Sequence, residues 1–318
     1  MRILPLDEIR RVLRYPEIAD CMRDAVIAFA RGECDMPMPM HLEIPALRAE
    51  IQMKSSYRRG GRYFALKMAA TFPGNAERGL AVGNGMMLLA SAETGEPAAF
   101  LDDGGCLTSV RTAAVAAMVA RELGRRDRAV GILGCGLQAR LSAEWHARML
   151  PGARIVLWGR ARERAEACVR DVRAAAPGVE MEVAETPAEV ARACRLILTC
   201  TASRGPLLYA PEIAPGTLIL AIGADAAGKQ ELEPAILRRA GLVLADSREQ
   251  CEKFGELQHA PDLWGRAVEI GDYCRNPRPA APGAITVCDF TGLGVEDLYI
   301  AEYVYEKAAG AARYSDGV

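Results

Sequence analysis

The segment Val130-Gly-Ile-Leu-Gly-Cys-Gly-Leu-Gln-Ala139 limits the possible fold more than any other part of the chain. A short apolar run enters a glycine turn and leaves as an alanine-rich helical pattern. Residues 128–133 predict a strand, Leu137 to Met149 a helix and 153–158 a second strand, which together make a βαβ unit. The alternation continues, with strands expected near 179–183, 196–200, 217–222, 242–245 and 285–288. Strands separated by helices pair in parallel, so the expected class is α/β with a Rossmann-type doubly wound parallel sheet. A turn of this kind suits a dinucleotide pyrophosphate. Gly134 permits the tight turn, Gly136 lets backbone amides near the phosphates, and Ala139 lets the helix pack close to the strand. Gly134, Gly136, Leu137 and Gln138 are therefore candidate cofactor contacts.

The remainder reads differently. Residues 6–32 have helical spacing, broken by the Pro/Met stretch Met36 to Met40. Strand-like pieces follow at 43–44, 49–55, 63–70, 85–91 and 98–101 without intervening helices, predicting an antiparallel or mixed sheet. A helix is expected from Ser109 to about Leu123, capped by Thr108, and a last helix from Val295 to Ala311. The expected division is a substrate and dimerisation domain from residues 1–122 and 290–318, and a nucleotide domain from 123–289. The Pro/Ala/Gly-rich run 276–283 reads as a loop, a hinge or domain crossing.

With 318 residues, a net charge of −2 and 25% charged residues, nothing favours a nucleic-acid partner. No apolar stretch has the length of a signal peptide core or a membrane span, so a cytoplasmic protein is expected. The ten cysteines are scattered without zinc-type spacing. They read as small buried hydrophobes in a reducing compartment, and no metal site is expected.

The second strand of a dinucleotide domain ends at the residue that reads the adenosine ribose. Here Leu157-Trp-Gly-Arg160-Ala-Arg162 supplies no carboxylate. Arg160, with Arg162 or Arg164 nearby, could clamp a 2′-phosphate, or these arginines could simply be the solvated start of the next helix. The reading favours NADP(H), with NAD(H) as the alternative.

Several further segments form one ordered series: Lys67-Met-Ala-Ala-Thr-Phe-Pro-Gly-Asn75, Thr94-Gly-Glu-Pro97, Leu107-Thr-Ser-Val-Arg-Thr-Ala-Ala114, Ile222-Gly-Ala-Asp-Ala-Ala-Gly-Lys-Gln-Glu-Leu232, Gly255-Glu and Thr291-Gly-Leu-Gly-Val-Glu-Asp-Leu298. Together with the glycine turn, this series resembles the ornithine cyclodeaminase/μ-crystallin family over nearly the whole chain. The resemblance implies a homodimer formed through a separate sheet, and hydride chemistry at a carbon–nitrogen double bond. Its members include cyclodeaminases, ketimine and pyrroline-2-carboxylate reductases, and an alanine dehydrogenase branch.

Reduction of an imine carboxylate requires a grip on the carboxylate, a protonated imine nitrogen and a nearby nicotinamide. Arg111, expected in the first turn of the helix capped at Thr108, suits the carboxylate, and the family assigns it that role; the alternative is pairing with an acid such as Asp102. Lys67 lies in an apolar strand where an unpaired ammonium is costly. The resemblance makes it a substrate contact, with a proton-transfer role left open. Asp225 follows a strand at the carboxyl edge, and in the family this aspartate faces the substrate nitrogen. Lys229 and Glu231 match the family pattern, and Thr291 with Gly292 would line the nicotinamide pocket. His146 reads as structural, and His259 as a loop or packing residue, with an approach to the cofactor as the alternative.

The chain departs from cyclodeaminases at three places. No arginine occurs around Met38 to His41, no carboxylate at Ile51-Gln-Met53, and Val82 or Asn84 stands where a threonine is expected. A distal ammonium would lack its counter-charge. The leading expectation is an NAD(P)H-dependent reductase of a small imine carboxylate, such as Δ1-pyrroline-2-carboxylate or a related ketimine. The alternatives are a redox-neutral cyclodeaminase or amino-acid dehydrogenase using NAD, and a non-catalytic NADPH-dependent small-molecule carrier.

Overall fold

The computed structural model describes residues 1–278 and 280–315, with side chains through Gly310. The chain forms two units: residues 1–111 with 293 onward, and residues 112–292. It crosses between them at Arg111/Thr112 and again at Gly292/Leu293.

In the second unit eight parallel strands lie in the spatial order Met181–Val183, Arg154–Trp158, Ala129–Leu133, Leu196–Thr199, Leu218–Ala221, Thr286–Asp289, Leu242–Ala245, Val268–Glu269. The strands Leu196–Thr199 and Leu218–Ala221 are fully buried, and apolar but for Thr199, as expected for a sheet covered on both faces. Strand order reverses between Ala129–Leu133 and Leu196–Thr199. This is the topological switch point where open α/β sheets bind ligands. The final strand, Thr286–Asp289, is inserted between Leu218–Ala221 and Leu242–Ala245. A separate parallel pair, Arg204–Leu208 with Gln230–Leu232, was not expected from the sequence.

The first unit holds a mixed seven-stranded sheet. Ala49–Arg58, Tyr63–Thr71, Gly83–Ser91 and Pro97–Asp102 run antiparallel in series, and Arg2–Pro5 adds a parallel edge that the sequence reading missed. The helix Gly294–Ser315 packs on Ala49–Arg58 and Tyr63–Thr71, and the helix Tyr15–Ala30 packs on it in turn. Gly294 is needed for this contact. A Cβ there would stand 2.8 Å from the Ser55 carbonyl oxygen.

Two expectations require correction. The central helix runs Cys106–Glu122, and its first turn is held by Asp103, whose Oδ2 accepts the Leu107 N–H at 2.7 Å. Gly104 and Gly105, at φ 58° and 84°, fold the chain tightly enough for Asp103 to reach back. Thr108 is therefore inside the helix, and Arg111 lies in the second turn. The run 276–283, apart from Pro279, which lies outside the described residues, links the helix Ile270–Arg275 to Thr286–Asp289 within the second unit. It is not a crossing between units.

Candidate active site

Each unit contributes its own constellation. In the first, Lys67 on Tyr63–Thr71 and Arg111 on Cys106–Glu122 are each 3% exposed. Arg111 Nε donates to Asp297 Oδ1 at 3.0 Å, and Nη1 donates to Glu296 Oε2 at 2.8 Å. Lys67 Nζ lies 3.7 Å from Asp297 Oδ2. The acids paired with Arg111 are thus Glu296 and Asp297, while Asp102 is exposed. Burial opposes ionisation of Asp297, but Arg111, Lys67 and Lys54 together hold its carboxyl below the usual range. Both acids sit in the first turn of Gly294–Ser315, where the helix dipole favours negative charge. Glu296 Oε2 also accepts the Leu293 N–H at 3.3 Å, so one carboxylate caps the helix and restrains the guanidinium.

In the second unit, Asp225 follows Leu218–Ala221 at the carboxyl edge of the sheet. Lys229 Nζ donates to its Oδ1 at 2.7 Å. The loop carrying this pair is fastened from several sides. Gln258 Oε1 accepts the Gly228 N–H at 2.8 Å, and Gln258 Nε2 donates to the Gly255 carbonyl at 2.8 Å. His259 Nε2 donates to the Lys229 carbonyl at 2.9 Å, tying the two loops together. Glu231 accepts the Thr201 N–H at 2.6 Å and the Gly223 N–H at 2.9 Å, spanning two strand ends.

The acids behind this edge were not found from sequence. Glu256 accepts the Glu231 N–H at 2.7 Å, and Asp289 accepts the Glu256 and Leu257 N–H groups, each at 2.9 Å. Desolvation dominates all three carboxyls. It pushes Glu231 and Asp289 up to about 7, and Glu256 well above its ordinary value with Asp289 and Glu231 adding to the rise. Asp246 forms a fourth latch, accepting the Thr291 N–H at 2.7 Å, the Gly292 N–H at 2.6 Å and the Thr291 hydroxyl at 3.1 Å. Thr291 is therefore in the Asp246 latch, after the last strand. The visible signal was only that Asp246, Glu256 and Asp289 each end or follow an apolar strand or glycine.

Gly134 sits at the switch point with φ 131°, and a Cβ there would lie 2.7 Å from the Cys200 carbonyl oxygen. Gly136 is exposed, nothing lies within 4 Å of its would-be Cβ, and it begins the 13-residue helix Leu137–Met149. Ala139 is buried against the sheet, Leu137 is 49% exposed, and Gln138 Nε2 is buried without a hydrogen-bond partner. Burial pushes the Cys135 thiol up, while the Arg164 and Arg160 charges pull it down. Arg160 is exposed, whereas Arg162 is taken up by Glu166 and Glu185. Open space at Gly136, a helix N-terminus and an unpartnered buried amide fit a dinucleotide phosphate. His146 is buried within the same helix. Its Nδ1–H donates to the Ser142 carbonyl at 2.8 Å, and desolvation lowers its pKa to about 4, so the ring is neutral. Among the described residues no group of three or more His, Cys, Asp or Glu could hold a metal, and no helix is long and apolar enough to cross a membrane.

A doubly wound sheet with a glycine turn at its switch point, joined to a mixed-sheet unit, defines a two-unit oxidoreductase of the Rossmann type. The chain belongs to the family described as ornithine cyclodeaminase/mu-crystallin, whose model matches residues 3–312. It is 33% identical to an uncharacterized cyclodeaminase of Sinorhizobium fredii (97% of this chain, 96% of the relative). It is 32% identical to an alanine dehydrogenase of Archaeoglobus fulgidus (96% and 94%), and 26% identical to a Δ1-pyrroline-2-carboxylate reductase of Bacillus cereus (97% and 97%). An archaeal alanine dehydrogenase solved as a dimer with bound NAD superposes with a TM-score of 0.87 at 29% identity, covering 98% of this chain and 97% of that one. The family is one of NAD(P)-dependent enzymes, and its members differ in substrate.

Proposed function

We propose that this protein is an NAD(P)H-dependent reductase of a small imine carboxylate: Δ1-pyrroline-2-carboxylate, a related ketimine, or the imine of a 2-oxo acid. The observation that carries this reading is Asp225, held by Lys229 at the carboxyl edge of the parallel sheet with 35% of its side chain accessible. A carboxylate there can hold a proton for the imine nitrogen and balance the iminium charge. Arg111 and Lys67 would grip the substrate carboxylate. Glu296 and Asp297 orient the Arg111 guanidinium, and Asp297 also attracts Lys67. Gly134, Gly136, Leu137 and Gln138 would hold the cofactor diphosphate and Thr291 would border the nicotinamide, which supplies the hydride when bound.

Arg160, exposed just after Arg154–Trp158 where no acid ends the strand, supports NADP(H) over NAD(H). A cyclodeaminase needs an acid for a distal ammonium. The buried face beside Lys67 instead presents Gln52 and Lys54, and the two acids there are held by Arg111. A homodimer is supported by the opposite sheet face. Met40, Met53, Met68 and Met86 form one cross-strand row there, with Leu42 50% and Leu66 44% exposed.

The test is oxidation of NADPH and NADH with a panel of cyclic imines and of 2-oxo acids plus ammonia or methylamine. Turnover with NADPH preferred is expected. Ammonia release from ornithine without net cofactor change would select a cyclodeaminase instead, and tight cofactor binding without turnover would select a carrier.

A further inference from the structure

Asp225 and Lys229 stand on the loop between Leu218–Ala221 and Gln230–Leu232, and Glu231, Glu256 and Asp289 behind it are wholly buried. A buried carboxylate is costly unless hydrogen bonds hold it. Here each of the six carboxyl oxygens accepts a backbone N–H. Glu231 Oε1 takes the Thr201 N–H and Oε2 the Gly223 N–H. From the far end of the loop, this one side chain closes the loop's neck and ties it to a neighbouring strand end. The Gly223 N–H also reaches the Thr199 carbonyl, at 3.1 Å. A Cβ on Gly223 would stand 2.5 Å from Glu231 Oε2, so only glycine leaves room for the carboxylate. Glu256 in turn accepts the Glu231 and Leu232 N–H groups at 2.7 and 3.2 Å, and Asp289 accepts those of Glu256 and Leu257. The three acids form a series from the last strand of the parallel sheet to the neck of the Asp225 loop.

We propose that Glu231 is a positioning residue for proton transfer at Asp225: by clasping the neck of the loop it fixes where the Asp225 carboxyl stands, and Glu256 seats Glu231 for that task. This rests on the imine-reductase reading above. In that step Asp225 gives its proton to the imine nitrogen while the carbon takes hydride from the reduced cofactor. The C=N bond becomes single and the acid is left as a carboxylate. Asp225 lies two residues beyond Gly223, so slack at the neck displaces it directly, and a shift of about 1 Å can cost about 10²-fold in rate. A glutamine at 231 has one acceptor oxygen and one NH2 group. It can receive only one of the two N–H groups and turns a donor towards the other. Gln258 and His259 still hold the loop at Gly228 and Lys229, so the substitution loosens the neck alone.

The test compares steady-state kinetics of the wild type, Glu231→Gln, Asp225→Asn and the double variant on the imine best reduced in the panel above. Glu231→Gln is expected to lower kcat about tenfold to 10²-fold while leaving KM for the reduced cofactor near wild type. In the Asp225→Asn background the same substitution should change kcat by no more than about twofold, because the two residues act as a unit. An equal loss in both backgrounds, or a loss confined to the cofactor KM, would overturn the proposal. Glu256→Gln, expected to give the same pattern, substitutes if Glu231→Gln does not fold. Hydrogen–deuterium exchange with cofactor present separates the two readings. Were no imine reduced, the reductase reading would fail, while exchange over residues 222–232 faster by about tenfold or more in Glu231→Gln, with residues 129–150 still protected, would support the clasp. Unchanged exchange in the loop, or protection lost throughout the unit in both variants, would sink it.

Discussion

Asp225 and Lys229 form a pair in which the acid is 35% and the lysine 10% exposed. Half-wet pairs contribute little to stability, so substitution should separate chemistry from folding. Asp225→Asn is expected to lower kcat by about 10²- to 10⁴-fold while leaving the melting temperature close to wild type, checked by steady-state kinetics beside calorimetry. Arg111 is the opposite case. Arg111→Met removes the buried guanidinium that both Glu296 and Asp297 accept from, so a loss of about 3–5 kcal/mol in urea unfolding is expected along with activity. Lys67 stood out because a cation in an apolar strand is unusual, and Arg111 because of its place near a helix start and the family resemblance. Their acids did not, since 185 residues separate Arg111 from Glu296. The burial of Lys54, which helps keep Asp297 ionised, went unread for another reason. Alternation shows which residues share a strand face, but only the docked helix decides which face is covered.

Among the elements, the strands and helices of the parallel sheet were readable because apolar runs and helical spacing alternate there. The errors fell at ends. Asp103 caps Cys106–Glu122 by reaching over two glycines, a geometry that spacing alone does not reveal. Arg2–Pro5 is too short to show a period. For Leu137–Met149, Gly134→Ala places a Cβ against the Cys200 carbonyl at φ 131°. Weakened cofactor binding and lower stability are expected, measured by fluorescence titration and melting. His146 in this helix gives a pH prediction. Its folded pKa of about 4 lies below the ordinary value of 6.5, so the unfolded chain binds more protons between these limits. Stability should therefore fall as pH drops from 6.5 towards 4. His146→Leu should make that fall shallower by one proton in urea titrations at stepped pH.

For the whole molecule, the methionine row and exposed Leu42 and Leu66 give the dimer proposal its test. Leu66→Lys should lower the sedimentation mass from two chains to one; an unchanged mass would remove that face as the interface. The division of the chain also affects its biogenesis. The first sheet is laid down by residues 2–102, yet its inner face is closed by a helix beginning at Gly294. During synthesis that face must wait, uncovered, while about 190 intervening residues leave the ribosome, which at typical elongation rates takes roughly 10–40 s. The middle unit has all its strands by Asp289 and can assemble first. Nascent chains halted before Gly294 should therefore be the species that chaperones bind.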